Sequence, residues 1–339
     1  MQRQFWVLLG CWVLLGSCNR TDRTPDVSHI KTKVSLARFD QALFALDTAQ
    51  LATGLDSLAT NFSGFYPEYM QFILGVSGDP SDSTTQRTVR QFIGAYRPIQ
   101  DSLQLRFADT RNLEKELQTS FRYLLYYFPS YQSGTITLFT GPLDAPGVAT
   151  VRSGTAVGLQ QFAGNGFFAY QSADLQTLYP GYLSRRFAPQ YIVPGVIKAI
   201  AEDLFPPRTA ELPLIEQMIE RGKYWYLASL LLPYHADSLI TGYTQQQLAW
   251  CKDNEGLIWS HLVKNEDLNS LNPVVIQTYL GEAPFTQGLS QEYSPGNLGA
   301  WVGWQIVKKY ADAHSEMHPS DIMKTPPATL LEQAKYKPK

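Results

Sequence analysis

The chain predicts an α+β fold, a mainly helical single domain with a small three- to four-stranded sheet. Three observations carry this expectation. Apolar residues recur at helical spacing through most of the chain before residue 130 and after residue 167. Between these regions, TITLFTG (Thr135–Gly141), GVATV (Gly147–Val151) and AVGLQQF (Ala156–Phe162) are short β-like runs separated by Gly and Pro. With 339 residues, 44% hydrophobic and 13% aromatic, the chain can bury a sizeable core without disulfides.

The elements follow in order. VSLARF (Val34–Phe39) alternates apolar and polar residues and predicts a strand that could join the three central runs. Helical patterns then cover Asp40–Leu46, Ala49–Asn61, Pro67–Leu74, Thr84–Ala95, Ile99–Phe107 and Asn112–Tyr127, with SGDPSDS (Ser77–Ser83) as a loop. After the sheet, helices are expected over Leu178–Phe187, Pro194–Phe205, Pro213–Leu232, Gln245–Val263, Pro273–Leu280, Pro295–Tyr310 and Ala328–Lys335. No internal repeat is visible.

The N-terminus predicts export. Arg3 precedes a short apolar run, Phe5–Leu15, and the small residues Gly16 and Ser17 precede Cys18. The run is too short for a confident membrane span and has the anatomy of a signal. A cysteine after small residues resembles a bacterial lipobox, so residues 1–17 are expected to be removed and Cys18 lipidated. Cys11 is a weaker alternative. Residues 18–32 are polar and predict a tether, leaving 33–339 as the globular domain. The net charge of −2 gives no field for nucleic acid. Cys251 would remain as the sole unmodified cysteine. It lies in a helical pattern with no nearby histidine, which favours a buried filler over a nucleophile.

The stretch IVPGVIKAIAEDLF (Ile192–Phe205) is the central candidate. Val193, Ile197, Ile200 and Leu204 form an apolar stripe, whereas Lys198 and Glu202 fall on the other side as an expected surface ion pair. Every i, i+4 pair, from Gly195/Ala199 to Lys198/Glu202, lacks the donors that zinc requires. The stripe predicts a core-facing packing helix with no metal beside it.

Other motifs point less far. HSEMH (His314–His318) places two histidines at i, i+4, but Pro319 follows at once and a solvated helix end is expected. GNGFFA (Gly164–Ala169) has a dinucleotide-loop outline, yet some twenty residues on, where an acidic ribose partner is needed, the chain reads SRRF (Ser184–Phe187). Thr244 and Gln247 predict a capping box. Glu255 falls within the apolar stripe Leu248, Cys251, Ile258, Leu262 and therefore needs a partner; a functional carboxylate is the alternative. Gly222, Gly299 and Gly303 interrupt apolar helix faces, which points to close helix–helix approach.

The same residues carry a family resemblance. LARFDQALF (Leu36–Phe44), YYFPSY (Tyr126–Tyr131), QYIVPGVIKAIAEDLFPP (Gln190–Pro207), QMIERGKYWYLASLLLP (Gln217–Pro233), GYTQQQLAWCKDNEGLIW (Gly242–Trp259), SPGNLGAWVGWQIVKKY (Ser294–Tyr310) and KYKPK (Lys335–Lys339) occur in order after the lipobox. Together they resemble the GldB family of gliding motility lipoproteins of the Bacteroidetes. Where that family often has Gly-Leu-Asp, this chain has Gly158-Leu159-Gln160, which puts an acidic role there in doubt.

The resemblance implies a periplasm-facing lipoprotein, on the inner or the outer membrane. It would support gliding and the associated type IX secretion through contacts with other envelope proteins. It further implies a distant likeness to zinc peptidases, whose metal-binding helix would correspond to Pro194–Phe205. The expectation is a non-catalytic binding scaffold without a cofactor. Its surface would be the groove between the sheet and that helix, bordered by Glu255. The rival is an envelope hydrolase or metallopeptidase with Glu220, Glu255, His314 and His318 as its polar groups.

Overall fold

The computed structural model describes residues 24–209, 211–265 and 268–338. The expected signal peptide, its cleavage site and Cys18 lie outside the described residues.

The chain forms a four-stranded sheet clad by helices on both faces. Strand β1 (Leu36–Arg38) leads into helices α1 (Phe39–Phe44), α2 (Leu51–Asn61) and α3 (Tyr66–Glu68), the last continuing as a wide turn over Tyr69–Ile73. Helices α4 (Ser83–Arg106) and α5 (Arg111–Tyr127) precede β2 (Thr135–Phe139), β3 (Val148–Val151) and β4 (Gly154–Gly158). The rest is helical: α6 (Ala173–Leu178), α7 (Gly181–Ser184), α8 (Ile192–Leu204), α9 (Leu214–Leu231) and α10 (Asp237–Thr241). It continues with α11 (Gln245–Asp253), α12 (Glu255–Asn265), α13 (Pro273–Leu280), α14 (Leu298–Ala313), α15 (Pro319–Lys324) and α16 (Pro327–Ala334).

The sheet order is β1-β2-β4-β3. The first three strands in that order run parallel, with Ile136 opposite Leu36 and Thr155, while β3 pairs antiparallel with β4 at one edge. A strand buried on both faces serves two cores by alternation. Ile136, Leu138 and Val157 point into the larger core, beneath α5, α8, α9 and α14. Phe139 and Ala156 point into the smaller one, with Phe39, Leu43, Tyr69 and Phe92. Helix α4 serves both, through Val89, Phe92 and Ile93 near its start and Ile99 and Leu103 near its end.

Several boundaries correct the expectations. Residues 83–106 are one 24-residue helix with Pro98 inside it, not two. Asp82 caps its start, accepting from the backbone N–H of Thr84 and Thr85. The apolar stripe on both sides of Pro98 outweighs the single lost hydrogen bond. The expected helix Leu178–Phe187 is instead α6 and α7, broken at Tyr179-Pro180, because a residue before proline is driven out of helical geometry. Gln245–Val263 divides at Asn254 into α11 and α12. Helices α10 and α15 are too short to show a period in the sequence. The last part of the expected tether is also not free: Val27 is buried in the larger core, and Gln118 Nε2 donates to the Thr32 carbonyl at 2.9 Å.

Candidate binding cleft

Helix α8 packs across β3 and β4 on one side and α9 on another. Val193, Val196, Ile197, Ile200 and Ala201 are buried, as the apolar stripe requires. Pro194 sits in the first turn, where its missing N–H has no intrahelical partner to lose. The remaining face, Tyr191, Gly195, Lys198, Ala199 and Glu202, keeps accessible surface. Gly195 lies so close to the start of β3 that a Cβ there would meet Val148 Cγ2 at 3.0 Å.

Lys198 corrects the expectation of a surface ion pair. It forms no ion pair with Glu202 among the described residues, and it retains only part of its accessible surface. Protein atoms crowd it enough that desolvation pulls its ammonium down to about 8. The charge of Arg186 pushes the same way, whereas Glu282 and Glu202 oppose it weakly.

Arg186 and its neighbour Arg185 come from the turn after α7. Arg186 Nη1 bonds to Glu282 Oε1 at 3.0 Å. Its aliphatic stem lies over Gly242, whose φ of +76° suits glycine and where a Cβ would meet Arg186 Cδ at 2.7 Å. Arg185 is half-buried: Nη2 donates to Gly242 O and Gln247 Oε1, each at 3.1 Å, and Nε is buried without a partner. Burial is the chief cause lowering its affinity for its proton, followed by the charge of Arg186. Gln247 is also the second half of the Thr244 capping box, so one local helix signal also positions a cation.

Glu282 joins this cluster to an open hollow of about 590 Å³ beside α13, lined by Pro273, Val274, Gln277, Ala283, Phe285 and others. Val274 is 73% exposed at its rim. In the sequence, SRRF stands out only as a failed ribose partner, and Arg185, Arg186 and Glu282 go unmarked as site residues. The pair Arg185-Arg186 is the available signal, but what it meets depends on segments nearly a hundred residues away.

The sequence-selected residues lie elsewhere. Glu255 is the first residue of α12, not part of a mid-helix stripe, and accepts from the Tyr336 hydroxyl at 2.6 Å. Its carboxylate is committed to the C-terminal segment rather than to a border of the α8 groove. Glu220 and Lys223, one turn apart on α9, form a buried ion pair, and Lys223 Nζ also donates to Thr325 O at 2.7 Å. His314 caps the end of α14 and His318 caps the start of α15, where its Nδ1 accepts from Ser320 N at 3.2 Å. The two histidines therefore do not share one helix face. Cys251 is fully buried, and desolvation pushes its thiol well above the usual range. Among the described residues, no group of three or more His, Cys, Asp or Glu is placed to hold a metal ion.

The departure at Gln160 also has a structural account. The carboxyl ends of parallel strands are the usual place for a ligand crevice in open α/β sheets. Here Arg38 at the end of β1, Thr140 after β2 and Gln160 after β4 fill that position with a buried hydrogen-bonded plug. Arg38 donates to Asp40 at 2.7 and 2.8 Å, and Gln100 Nε2 reaches the same carboxylate at 3.4 Å. Thr140 Oγ1 donates to Gln100 Oε1 at 2.7 Å. Gln160 Oε1 accepts from Gly141 N at 3.0 Å, and its Nε2 approaches Ala145 O at 3.5 Å. An aspartate at this position could not donate to that carbonyl.

The class is an α+β, mainly helical domain with a plugged strand end and a cation-bearing face beside α8. The chain belongs to the gliding motility protein GldB family, whose model matches residues 20–338. Comparison with curated proteins and with solved structures gave no match. No helix among the described residues is long and apolar enough to cross a membrane.

Proposed function

We propose that this gliding motility protein is a periplasm-facing lipoprotein, anchored through Cys18. It would act as a non-catalytic binding component of the gliding and type IX secretion machinery. The observation that supports this reading most is the open face of α8. Gly195, Lys198, Ala199 and Glu202 place a cation, rather than a nucleophile or a set of metal donors, beside the edge strand β3. On this reading, the zinc-peptidase likeness that the family resemblance implies would be that of a scaffold kept for contact.

The test is made in cells. Lys198→Glu should reduce colony spreading and cargo secretion at unchanged protein level, because it reverses the charge of the surface. Glu255→Gln and His318→Ala should leave both intact. A chelator-sensitive peptidase activity of the purified protein that these two substitutions abolish would replace this reading with the hydrolase one.

A further inference from the structure

The cation cluster and the α13 hollow meet at Glu282, which pairs with Arg186 and lines the hollow. Lys198 has no ion-pair partner among the described residues, and the buried Arg185 Nε has no acceptor. Arg185, Arg186 and Lys198 are opposed by Glu282 and Glu202, which leaves one uncompensated positive charge where desolvation strengthens any attraction. Beside them lies an open hollow of about 590 Å³, a volume suited to a few side chains of a bound chain, whose lining mixes polar Gln277, Thr278 and Gln287 with apolar side chains. Its lining includes Val274, Ala283 and Phe285. Val274, 73% exposed, presents an apolar side chain at its rim.

We infer that this surface is a peptide site for an acidic segment of an envelope protein partner. It takes one carboxylate between Arg186 and Lys198 and a neighbouring apolar side chain in the hollow beside α13. The inference rests on the binding reading above and supplies the chemistry of the partner. Arg186 suits the role because its planar fork can hold a carboxylate in two-point geometry, so an incoming acid can share or replace Glu282. Lys198 contributes a point charge, and the attraction of a bound carboxylate offsets the desolvation cost of its ammonium. A single net charge favours a carboxylate over a dianionic phosphate group.

The probe is a fluorescent peptide alternating leucine and glutamate, titrated against the full-length protein in neutral detergent. Its partner probe carries glutamine in place of glutamate. The acidic peptide should bind saturably and more weakly as salt is raised. It should bind about ten-fold tighter than the glutamine peptide. Lys198→Met and Arg186→Gln should each erase most of that difference, and Val274→Ser should weaken both peptides. Lys198→Met replaces a crowded cation by an apolar chain, so unchanged or higher thermal stability shows that its loss of binding is not unfolding.

Equal affinity for the two peptides, no saturable binding, or indifference to Lys198→Met and Arg186→Gln would overturn the inference. So would displacement by inorganic phosphate together with no effect of Val274→Ser, which would mark a small-anion site instead. If the acidic peptide fails while Lys198→Glu still abolishes gliding, the partner chemistry is wrong and the binding reading stands.

Discussion

Gly222 on α9 lies directly against the backbone of Gly303 on α14, so close that a Cβ on either residue would overlap main-chain atoms of the other helix. These two helices make the most extensive contact in the fold. Gly299, one turn before Gly303, extends the approach: a Cβ there would meet Met218 Cγ at 2.8 Å and Leu280 Cδ2 at 2.9 Å. Trp301, Trp304 and Tyr310 are almost wholly buried around the seam. Each glycine gives up about 1 kcal/mol of helix propensity, which the backbone approach offsets by bringing large aromatic surfaces together.

Gly303→Ala should therefore destabilise the fold by about 1–3 kcal/mol, because the obstacle is backbone and cannot rotate away. Gly94→Ala is the contrasting case. Gly94 is exposed in α4, and a methyl group there would meet nothing within 4 Å, so the change should stabilise by about 0.5–1 kcal/mol. Urea midpoints of the two variants, shifted in opposite directions, would establish both points.

Ile200→Ala should cost about 2–5 kcal/mol, since Ile200 is 2% exposed in the core beneath α8 and its truncation leaves a cavity. A loss below about 1 kcal/mol in chemical denaturation would mean that α8 is not anchored through this stripe.

Lys198 gives a pH dependence with a definite sign. Its folded-state ammonium lies at about 8, below the ordinary 10.5, with desolvation the first cause and Arg186 the second. Below about pH 8 both folded and unfolded chains carry the charge, and the folded state bears the full desolvation cost. Between about 8 and 10.5 the folded state releases the proton first, so this residue's contribution makes stability rise with pH. Lys198→Met should remove that rise and gain about 1–3 kcal/mol at pH 7. Denaturation at pH 7 and pH 10 for both proteins would decide it, an unchanged pH dependence in the variant counting against the assignment.

Glu220→Gln should cost about 3–5 kcal/mol, because it leaves the Lys223 ammonium buried without its carboxylate. Burial already lowers the proton affinity of Lys223, and Glu220 is what opposes that effect. The double variant Glu220→Leu, Lys223→Met should recover most of the loss, as an apolar pair of similar volume replaces two desolvated charges. A double variant no more stable than Glu220→Gln would show that the pair does more than neutralise itself.

Cys18→Ala should abolish labelling with palmitate and release the protein from membranes, because the acyl chains each add about 0.8 kcal/mol of membrane affinity per buried CH₂. Labelling that survives in this variant and disappears in Cys11→Ala would move the anchor to Cys11.

Local spacing determined much of this protein by itself. The strands at 135–139 and 148–151, the core face of α8, the whole of α13 and the Thr244–Gln247 capping box were legible, whereas the third run, expected over Ala156–Phe162, is a strand over Gly154–Gly158 that ends in a tight turn. Each depends on which residues share a face or a turn, and chain periodicity alone fixes that. The glycine seam was legible too, since a helix accepts glycine on its apolar face only where something offsets the lost propensity.

The tertiary structure decided the rest. It ran α4 through Pro98, broke a helix at Asn254 so that Glu255 meets Tyr336, and set His314 and His318 on different helices. It also turned Lys198 from an expected surface charge into a crowded cation beside Arg186 and Glu282. The reason is that desolvation and charge coupling depend on atoms brought in from distant segments. Nothing within a turn of Lys198 could show that residues 186 and 282 stand beside it.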